Sequence, residues 1–466
     1  MIRGETKNIA LSIGANKNSD PIDSLVPSEI DRRNGQMTEA GNWKRRPGYA
    51  DQWDLGNSKP VHLLIPDANG FAITGDGKVY QIEPSVARVG TAQMTGSVRP
   101  TYTLYQATST TAKSILLADG GTVMKLGLAP TALAALGGSP PNFKFIDTLD
   151  TRAIGCGHND IGFRWSDLEN TASWPAANTN SVLGDGEIIL NFRVLRRDMY
   201  FFKTKSIEVW SNIGTSTVYA RKAYIEKGIG SSYSLVHAND NFYWLNNDWE
   251  FSFLEGLSPK VISTRYAKEI RASSDKADIY GFDFPAERLI RWFAPGSNKC
   301  FVFDYVTNIM SEDNAWNGSW LRMPINSYME RDGEAYIGDL EPTGKIYRWS
   351  RDYLDDNGSD IRLYRRFAAP LGENGGEYRA NRLRFRIKRG NGTNTEMDPK
   401  AIVAWRIDQG ERLTEDIDLG AVGEHDPYVD INNLGIGREI ELEIIETDAV
   451  DYLMTHAYLT AERLGA

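Results

Sequence analysis

Two cysteines, Cys156 and Cys300, and five histidines are few for a chain of 466 residues. Two distant thiols build no disulfide framework. No histidine stands three to five residues from another histidine or from a cysteine, so no zinc-ligand spacing is legible. Runs of about 20 apolar residues are also missing, which excludes a membrane-spanning helix. The opening MIRGETKNIALSIGANKNSD has no apolar core of signal-peptide length, so a soluble, unsecreted chain without membrane insertion is expected. Positive charge is in deficit: 52 Lys and Arg face 62 Asp and Glu, a net −10, and the surface as a whole should repel nucleic acid. Helical periodicity is scarce too. Only 263–273 carries it, with Ser263 placed to cap and Tyr266 and Ile270 one turn apart.

What remains is strand and turn. With 41% hydrophobic and 24% charged residues the composition is that of a folded chain, and the length allows about two to four domains. Short segments rich in Val, Ile, Tyr, Phe and Trp alternate with Gly, Asn, Asp and Pro clusters, an all-β pattern. Hairpin-like units recur at 71–83 (FAITGDGKVYQIE), 114–127, 153–167, 199–212, 241–256, 290–305 and 335–350. Their second strands, marked at Tyr80, Met124, Phe163, Val209, Phe251, Val302 and Tyr347, are spaced by 44, 39, 46, 42, 51 and 45 residues. A four-stranded propeller blade needs about 40 to 50 residues, so an irregular β-propeller of six or seven blades is predicted over 51–360. Two stacked β-sandwiches would share these signals. The polar cluster RDYLDDNGSD marks a boundary near 355–362, and strands at 382–389, 400–408, 438–446 and 452–462 predict a C-terminal antiparallel β-sandwich docking domain at 361–466. Residues 1–50 have scattered apolar positions and read as an N-terminal arm making assembly contacts, closed by Asn42-Trp43-Lys44-Arg45-Arg46-Pro47-Gly48-Tyr49.

Between Ile361 and Arg389 nine Lys or Arg meet two acids, a basic patch on an acidic chain. Alternation in NRLRFRIKRG puts Leu383, Phe385 and Ile387 on one face and Arg382, Arg384, Arg386 and Lys388 on the other. Such a face is solvated and blunts a sheet edge, or it grips phosphates, or it meets an acidic protein surface. The candidate interface residues are Arg382, Arg384, Arg386, Lys388 and Arg389, with Trp43, Arg45 and Arg46 from the arm. Base recognition is disfavoured because no aromatics interleave within the segment. Asp167-Leu168-Glu169-Asn170-Thr171-Ala172-Ser173-Trp174 resembles the Asp-box turn of sialidase-like propellers, with only Trp174 fitting strictly, and even a true Asp box is structural. Asp355-Asp356 and Glu446 with Asp448 are paired carboxylates of the kind 62 acids produce by chance. Gly184-Asp185-Gly186 and Gly228-Ile229-Gly230 lack the later residues of phosphate loops and read as turns. No nucleophile elbow is present. No catalytic, cofactor or metal-binding residue is nominated, and the chain is not expected to be an enzyme.

Glu226-Lys227-Gly228-Ile229-Gly230-Ser231-Ser232-Tyr233-Ser234, followed by Asn241-Phe242-Tyr243-Trp244-Leu245 and a helix near Ile270, resembles the packaged-DNA stabilization proteins, the tail hub or nozzle proteins of short-tailed phages. Arg46-Pro47-Gly48, Asp198-Met199-Tyr200 leading to Ile207-Glu208-Val209-Trp210, and Phe301-Val302-Phe303-Asp304-Tyr305 ahead of Trp320 extend the likeness over most of the chain. The resemblance implies a virion protein of the phage tail, made in the host cytoplasm. Its subunits would form a ring, a homohexamer, docked beneath the portal and adaptor. Double-stranded DNA would be retained and later pass through the bore without sequence-specific binding. Tail fibres or spikes, and a tail needle, would be further partners. The alternative is a glycan-binding or glycan-degrading propeller of the phage tail, with Tyr243, Trp244 and Trp249 as a sugar platform. An intracellular scaffold of the WD or kelch kind ranks behind both because neither signature recurs.

Overall fold

Each expected hairpin forms, and each supplies the second and third strands of a four-stranded antiparallel sheet. The first blade is Val61–Ile65, Phe71–Thr74, Val79–Gln81 and Ala87–Arg88; four more follow from consecutive strands within 101–135, 145–181, 189–225 and 236–261. The sixth comprises Tyr280–Phe284, Leu289–Ala294, Lys299–Asp304 and Ile309–Glu312. In the seventh, Ile325–Arg331, Glu334–Asp339 and Lys345–Ser350 take their outer strand, Gly48–Asp54, from far earlier in the chain. The computed structural model describes residues 5–9, 28–38, 40–159, 161–182, 186–214, 218–371, 376–390, 398–420, 423–424 and 426–464. Gly184 and Asp185 of the expected turn, and 10–27 of the expected arm, lie outside the described residues.

The middle strands were legible because they are buried on both faces and therefore mostly apolar: Ser114–Ala118 and Leu289–Ala294 have no exposed position, and Arg291 within the latter is the exception. Between every two neighbouring blades lies one apolar cluster. They run from Phe71, Ile73, Ile115 and Leu117 between blades 1 and 2 around to Val61, Leu64, Met329 and Ile346, which seal blade 7 against blade 1. Each twisted sheet thus buries both faces, and the ring closes without a lipid or a second sheet layer.

The expected helix is shorter than predicted, a 3-10 turn Thr264–Tyr266 running into Ala267–Ala272. Ser263 does not cap it; its hydroxyl accepts the Phe251 N–H at 2.8 Å. Tyr266 and Ile270 are fully buried in the seal between blades 5 and 6.

The C-terminal sandwich draws strands from both ends of the chain. One layer holds Gly35–Met37, Trp43–Arg45, Leu453–Arg463, Tyr378–Ile387 and Tyr428–Gly437, with Glu5–Ile9 also pairing Leu453–Arg463. The other holds Ser28–Arg33, Leu363–Pro370, Glu439–Glu446, Lys400–Ile407 and Leu413–Asp418. Trp43, Phe367, Leu383, Phe385, Trp405, Leu442 and Leu459 fill the space between them. Ser28–Arg33 also meets Ile309–Glu312 in parallel, so blade 6 and this layer are one nine-stranded sheet. Of the expected arm 1–50, residues 28–38 and 40–50 form a strap and the start of a closing strand, Gly48–Asp54, within this chain. The sequence window 361–466 holds most of the sandwich and omits that strap.

Candidate functional site

Alternation places Leu383, Phe385 and Ile387 in the sandwich core and turns Arg382, Arg384 and Arg386 outward. The strand is central, between Leu453–Arg463 and Tyr428–Gly437, so its cations do not blunt an edge. Arg384 forks onto Asp430 across the ladder, with both contacts at 2.7 Å, and lies 5.1 Å over the Tyr428 ring. Lys388 pairs with Asp451 at 2.8 Å; Arg389 reaches Asp418 at 3.3 Å and Glu424 at 3.7 Å. Arg382 and Arg386 are exposed and make no ion pair among the described residues. Tyr428 and His456 stand opposite Arg386, and His456 stacks on Tyr458 with ring centroids 5.6 Å apart. Aromatics therefore do interleave this patch. They come from neighbouring strands, which the linear segment could not reveal.

Trp43, Arg45 and Arg46 are not interface residues. Trp43 is fully buried, edge-on to Tyr452 at 5.7 Å and beneath the Arg365 guanidinium at 5.1 Å. Arg45 is buried against Glu446 and donates to the Leu354 carbonyl at 2.9 Å. Arg46 forks onto Asp356 at 2.6 and 2.8 Å while also donating to Asn34 Oδ1, the Pro47 carbonyl and the Asn314 carbonyl. A guanidinium that fills all its donors inside the fold has none left for a partner. The next residue but one, Gly48, is required for the same close fit, since a Cβ there would collide with the Asp355 carbonyl.

Further buried ion pairs lie on either side of the junction, within the sandwich layer and within blade 6. Glu29 accepts from Arg32 at 2.5 Å and from Arg365 at 2.5 Å. Arg291 bridges Glu287 at 2.9 Å and Asp313 at 2.8 Å, and Glu287 also accepts from Trp349 Nε1 at 2.6 Å and from Gln36 of the strap. Asp356 and Glu446, members of the chance carboxylate pairs, are thus ion-paired to arginine and geometrically closed to substrate.

The first strands of blades 1, 2, 4, 5, 6 and 7 enclose a cavity of about 290 Å³ on the propeller axis, lined among others by His62, Tyr102, Arg193, His237, Asp283 and Tyr328. Arg99 braces its wall, stacked 4.2 Å over Tyr280 and donating to the His62 and Asn326 carbonyls. Burial, and then the neighbouring Glu330 charge, lift the Asp283 carboxyl to about 7, and its Oδ1 has no hydrogen-bond partner. Burial and then Arg99 push His62 down to about 4. The cavity offers a proton-holding carboxyl and two imidazoles held toward the neutral form, but no oriented nucleophile–base pair. Among the described residues no group of three or more His, Cys, Asp or Glu is placed to hold a metal. Further along the axis Asp147 accepts from Thr103 at 3.1 Å and from the Val194 N–H at 2.9 Å, tying blades 2, 3 and 4. Sequence reading passed over the cavity residues. Their signal is an ionisable side chain in the strand preceding a hairpin, as with Arg193 and Asp283.

The remaining motifs are structural. Asp167 accepts from Ser173 at 2.5 Å and Asn178 at 3.1 Å, and Trp174 is buried, so this segment is a braced turn. In 226–234, the Gly228 carbonyl accepts from Trp244 Nε1 at 3.0 Å, Ser231 donates to the Ile279 carbonyl at 2.5 Å, and the Ser234 carbonyl accepts from Trp292 Nε1 at 2.8 Å. That segment stitches blades 4, 5 and 6. Tyr243 and Trp244 are buried and Trp249 is partly buried beneath Lys276, so the three form no open sugar platform.

No protein-family model and no curated protein matches the chain. Solved structures similar to it include the WD40 repeats of RRP9, at 9% identity over 66% of this chain and 99% of that one, TM-score 0.39. The β-propeller domain of Cps50 (Swd1) from Myceliophteria thermophila has 11% identity over 68% and 99%, TM-score 0.38. The WD40 domain of Toxoplasma gondii coronin has 10% identity over 70% and 87%, TM-score 0.38. At such identities the likeness is one of fold.

Proposed function

We propose that the chain is a structural protein of a short phage tail, a hub or nozzle subunit. Copies of it form a ring, a hexamer, below the portal and adaptor, retain packaged DNA and line the path of its ejection. The observation that carries the reading is the weld between the two bodies. The sheet of blade 6 continues into the sandwich through the parallel bridge of Arg33 with Glu312, and the buried Arg46–Asp356 pair and the Gln36–Glu287 hydrogen bond cross the seam. A subunit that bears load between a pressurised head and tail appendages needs two docking bodies that do not hinge. Two further facts agree with it. Two of the segments that carry the tail-hub resemblance, 226–234 and 46–48, seal blades and seam. A net charge of −10, repeated around a ring, keeps phosphates from adhering to the conduit.

Native mass spectrometry of the chain alone and with the portal and adaptor proteins of the same phage tests this. A ring that forms on mixing is the expected result. A chain that ignores those rings and binds or cleaves a surface polysaccharide would move the assignment to the glycan-directed propeller.

A further inference from the structure

Arg193, in the first strand of blade 4, lines the axial cavity, and its guanidinium meets neither a carboxylate nor another hydrogen-bond acceptor among the described residues. Its charge acts on both sides of the space. The Tyr102 hydroxyl of blade 2, pushed up by burial, is drawn back by Arg193, and the His237 imidazole of blade 5, pushed down by burial, is lowered further by it. Asp147, the axial carboxylate of blade 3, is already taken: it accepts from the Thr103 hydroxyl and from the Thr148 and Val194 N–H groups at 3.1, 2.8 and 2.9 Å. Arg99, the other guanidinium of the wall, donates to the carbonyls of His62 and Asn326 and to Asn326 Oδ1 at 3.1, 2.6 and 2.7 Å, none of them a charged oxygen. Two blades round from Arg193, Asp283 presents its unpartnered Oδ1, and burial followed by the Glu330 charge inclines that carboxyl to keep its proton. Two guanidinium groups thus face the space against one carboxyl that resists ionising.

We propose that this cavity is a binding site for a small hydroxylated carboxylate, a sugar acid of the size of a single hexuronate. The ligand carboxylate forks onto Arg193 beside the Tyr102 hydroxyl, and the ligand hydroxyl groups bond to Asp283 and to the His237 imidazole. The site stands whether or not the chain assembles into a ring. Charge selects an anion, because a half-buried guanidinium without a counter-ion is costly and its planar fork matches a carboxylate in two parallel bonds. A phosphate dianion fits less well, since it would bring two charges to one free guanidinium with a carboxyl in the same space. A cation is opposed by both arginines. Size selects one small unit: about 290 Å³ lies at the lower end of the roughly 300–1,000 Å³ of small-molecule sites. The wall selects hydroxyl groups. Besides Asp283 Oδ1, the imidazoles of His62 and His237 and the hydroxyls of Tyr102 and Tyr328 make no side-chain hydrogen bond among the described residues, and an apolar body would leave them so. His237 is exposed while the rest of the lining is buried or half-buried, which places the mouth of the cavity there.

Isothermal titration calorimetry and saturation-transfer NMR of the full chain with D-glucuronate, with uncharged D-glucose and with acetate test the site. D-glucuronate is expected to bind at least about tenfold more tightly than either, since glucose lacks the charge and acetate lacks the hydroxyl groups. Arg193→Gln is expected to weaken glucuronate by about 10- to 100-fold and to erase its advantage over glucose. Asp283→Ala is expected to weaken it by about 2- to 10-fold and to leave that advantage in place. Arg193 has no partner to lose, so its variant should unfold at the wild-type temperature, and lost binding is then a lost contact. Arg382→Gln, on the outer face of the sandwich, should bind as the wild type does. Three results overturn the proposal: no glucuronate binding at millimolar concentration, binding no tighter than that of glucose, or binding that Arg193→Gln leaves unchanged. Acetate bound as tightly as glucuronate would overturn it too, leaving only a general anion site.

Discussion

Arginine is used in opposite ways at the seam and on the outer face of the sandwich. At and around the seam Arg45, Arg46, Arg291 and Arg365 are buried and ion-paired, each held to a carboxylate that another segment brings to it, while Arg32 pairs with Glu29 of its own strand. On the outer face Arg379, Arg382 and Arg386 project from a strand whose other side is core, exposed and without an ion pair among the described residues. The difference teaches that a basic cluster in sequence has no meaning until its partners are placed. Asp356 is 310 residues from Arg46, and Glu446 is 401 from Arg45. No local reading could have paired them.

The comparison is broken most severely by removing the strap. Deleting residues 1–47 takes Trp43 from the sandwich core, Arg46 from Asp356 and the linking strand from the nine-stranded sheet. The expected outcome is a protein whose residues beyond about 360 become protease-sensitive while the propeller persists, giving two calorimetric transitions where the intact chain has one. Next in size, Arg46→Ala strands a buried carboxylate at Asp356 and should cost about 3–5 kcal/mol in denaturant unfolding. The double variant Arg46→Ala, Asp356→Ala should recover part of that loss, because no orphan charge remains.

A smaller effect separates the channel from both. The folded state holds a proton on Asp283 up to about pH 7, whereas an unfolded carboxyl releases it near pH 4. Stability from this group is therefore full below about pH 4 and declines as pH rises to about 7. Asp283→Asn should remove that decline from a series of thermal unfolding curves; an unchanged slope would place the proton elsewhere. Smallest of all, Arg382→Ala and Arg386→Ala should shift stability by no more than about 0.5 kcal/mol, the value for exposed side chains without partners. A larger loss there would mean that the face is not free.

The blades were readable and the weld was not, for one physical reason. A propeller blade is local: its strands follow one another, the middle strands are mostly apolar, and tight turns such as that at Gly77, with φ of 78°, announce the hairpin. Even the blade count was open only because the seventh sheet borrows Gly48–Asp54 from outside its own sequence window. The arm was misread because its apolar positions are too few to form a core of their own. Trp43 has only Met37 as a near companion and finds the rest of its core in strands more than 300 residues away, as Ser28–Arg33 finds its partner strand in Leu363–Pro370. The candidate interface divided along the same line. Alternation correctly turned Arg382, Arg384 and Arg386 outward, while the Trp43–Arg46 cluster, read from composition alone, went inward.

The joining of early and late segments also sets an order of events during synthesis. Residues 43–44 pair with 453–454, and the strand at 48–54 pairs with 345–350, so these early strands wait for roughly 300 to 400 further residues. At about 5–20 residues per second that interval is on the order of 15 to 80 s. Blades 1 to 5 can form as they appear, but the ring stays an open arc, with an unpaired edge on blade 7, until the nascent chain folds back upon its own beginning. The window in which such an edge can pair with a stranger is therefore written into the topology, and a ribosome-bound chaperone that holds residues 28–54 would guard the step on which both bodies depend.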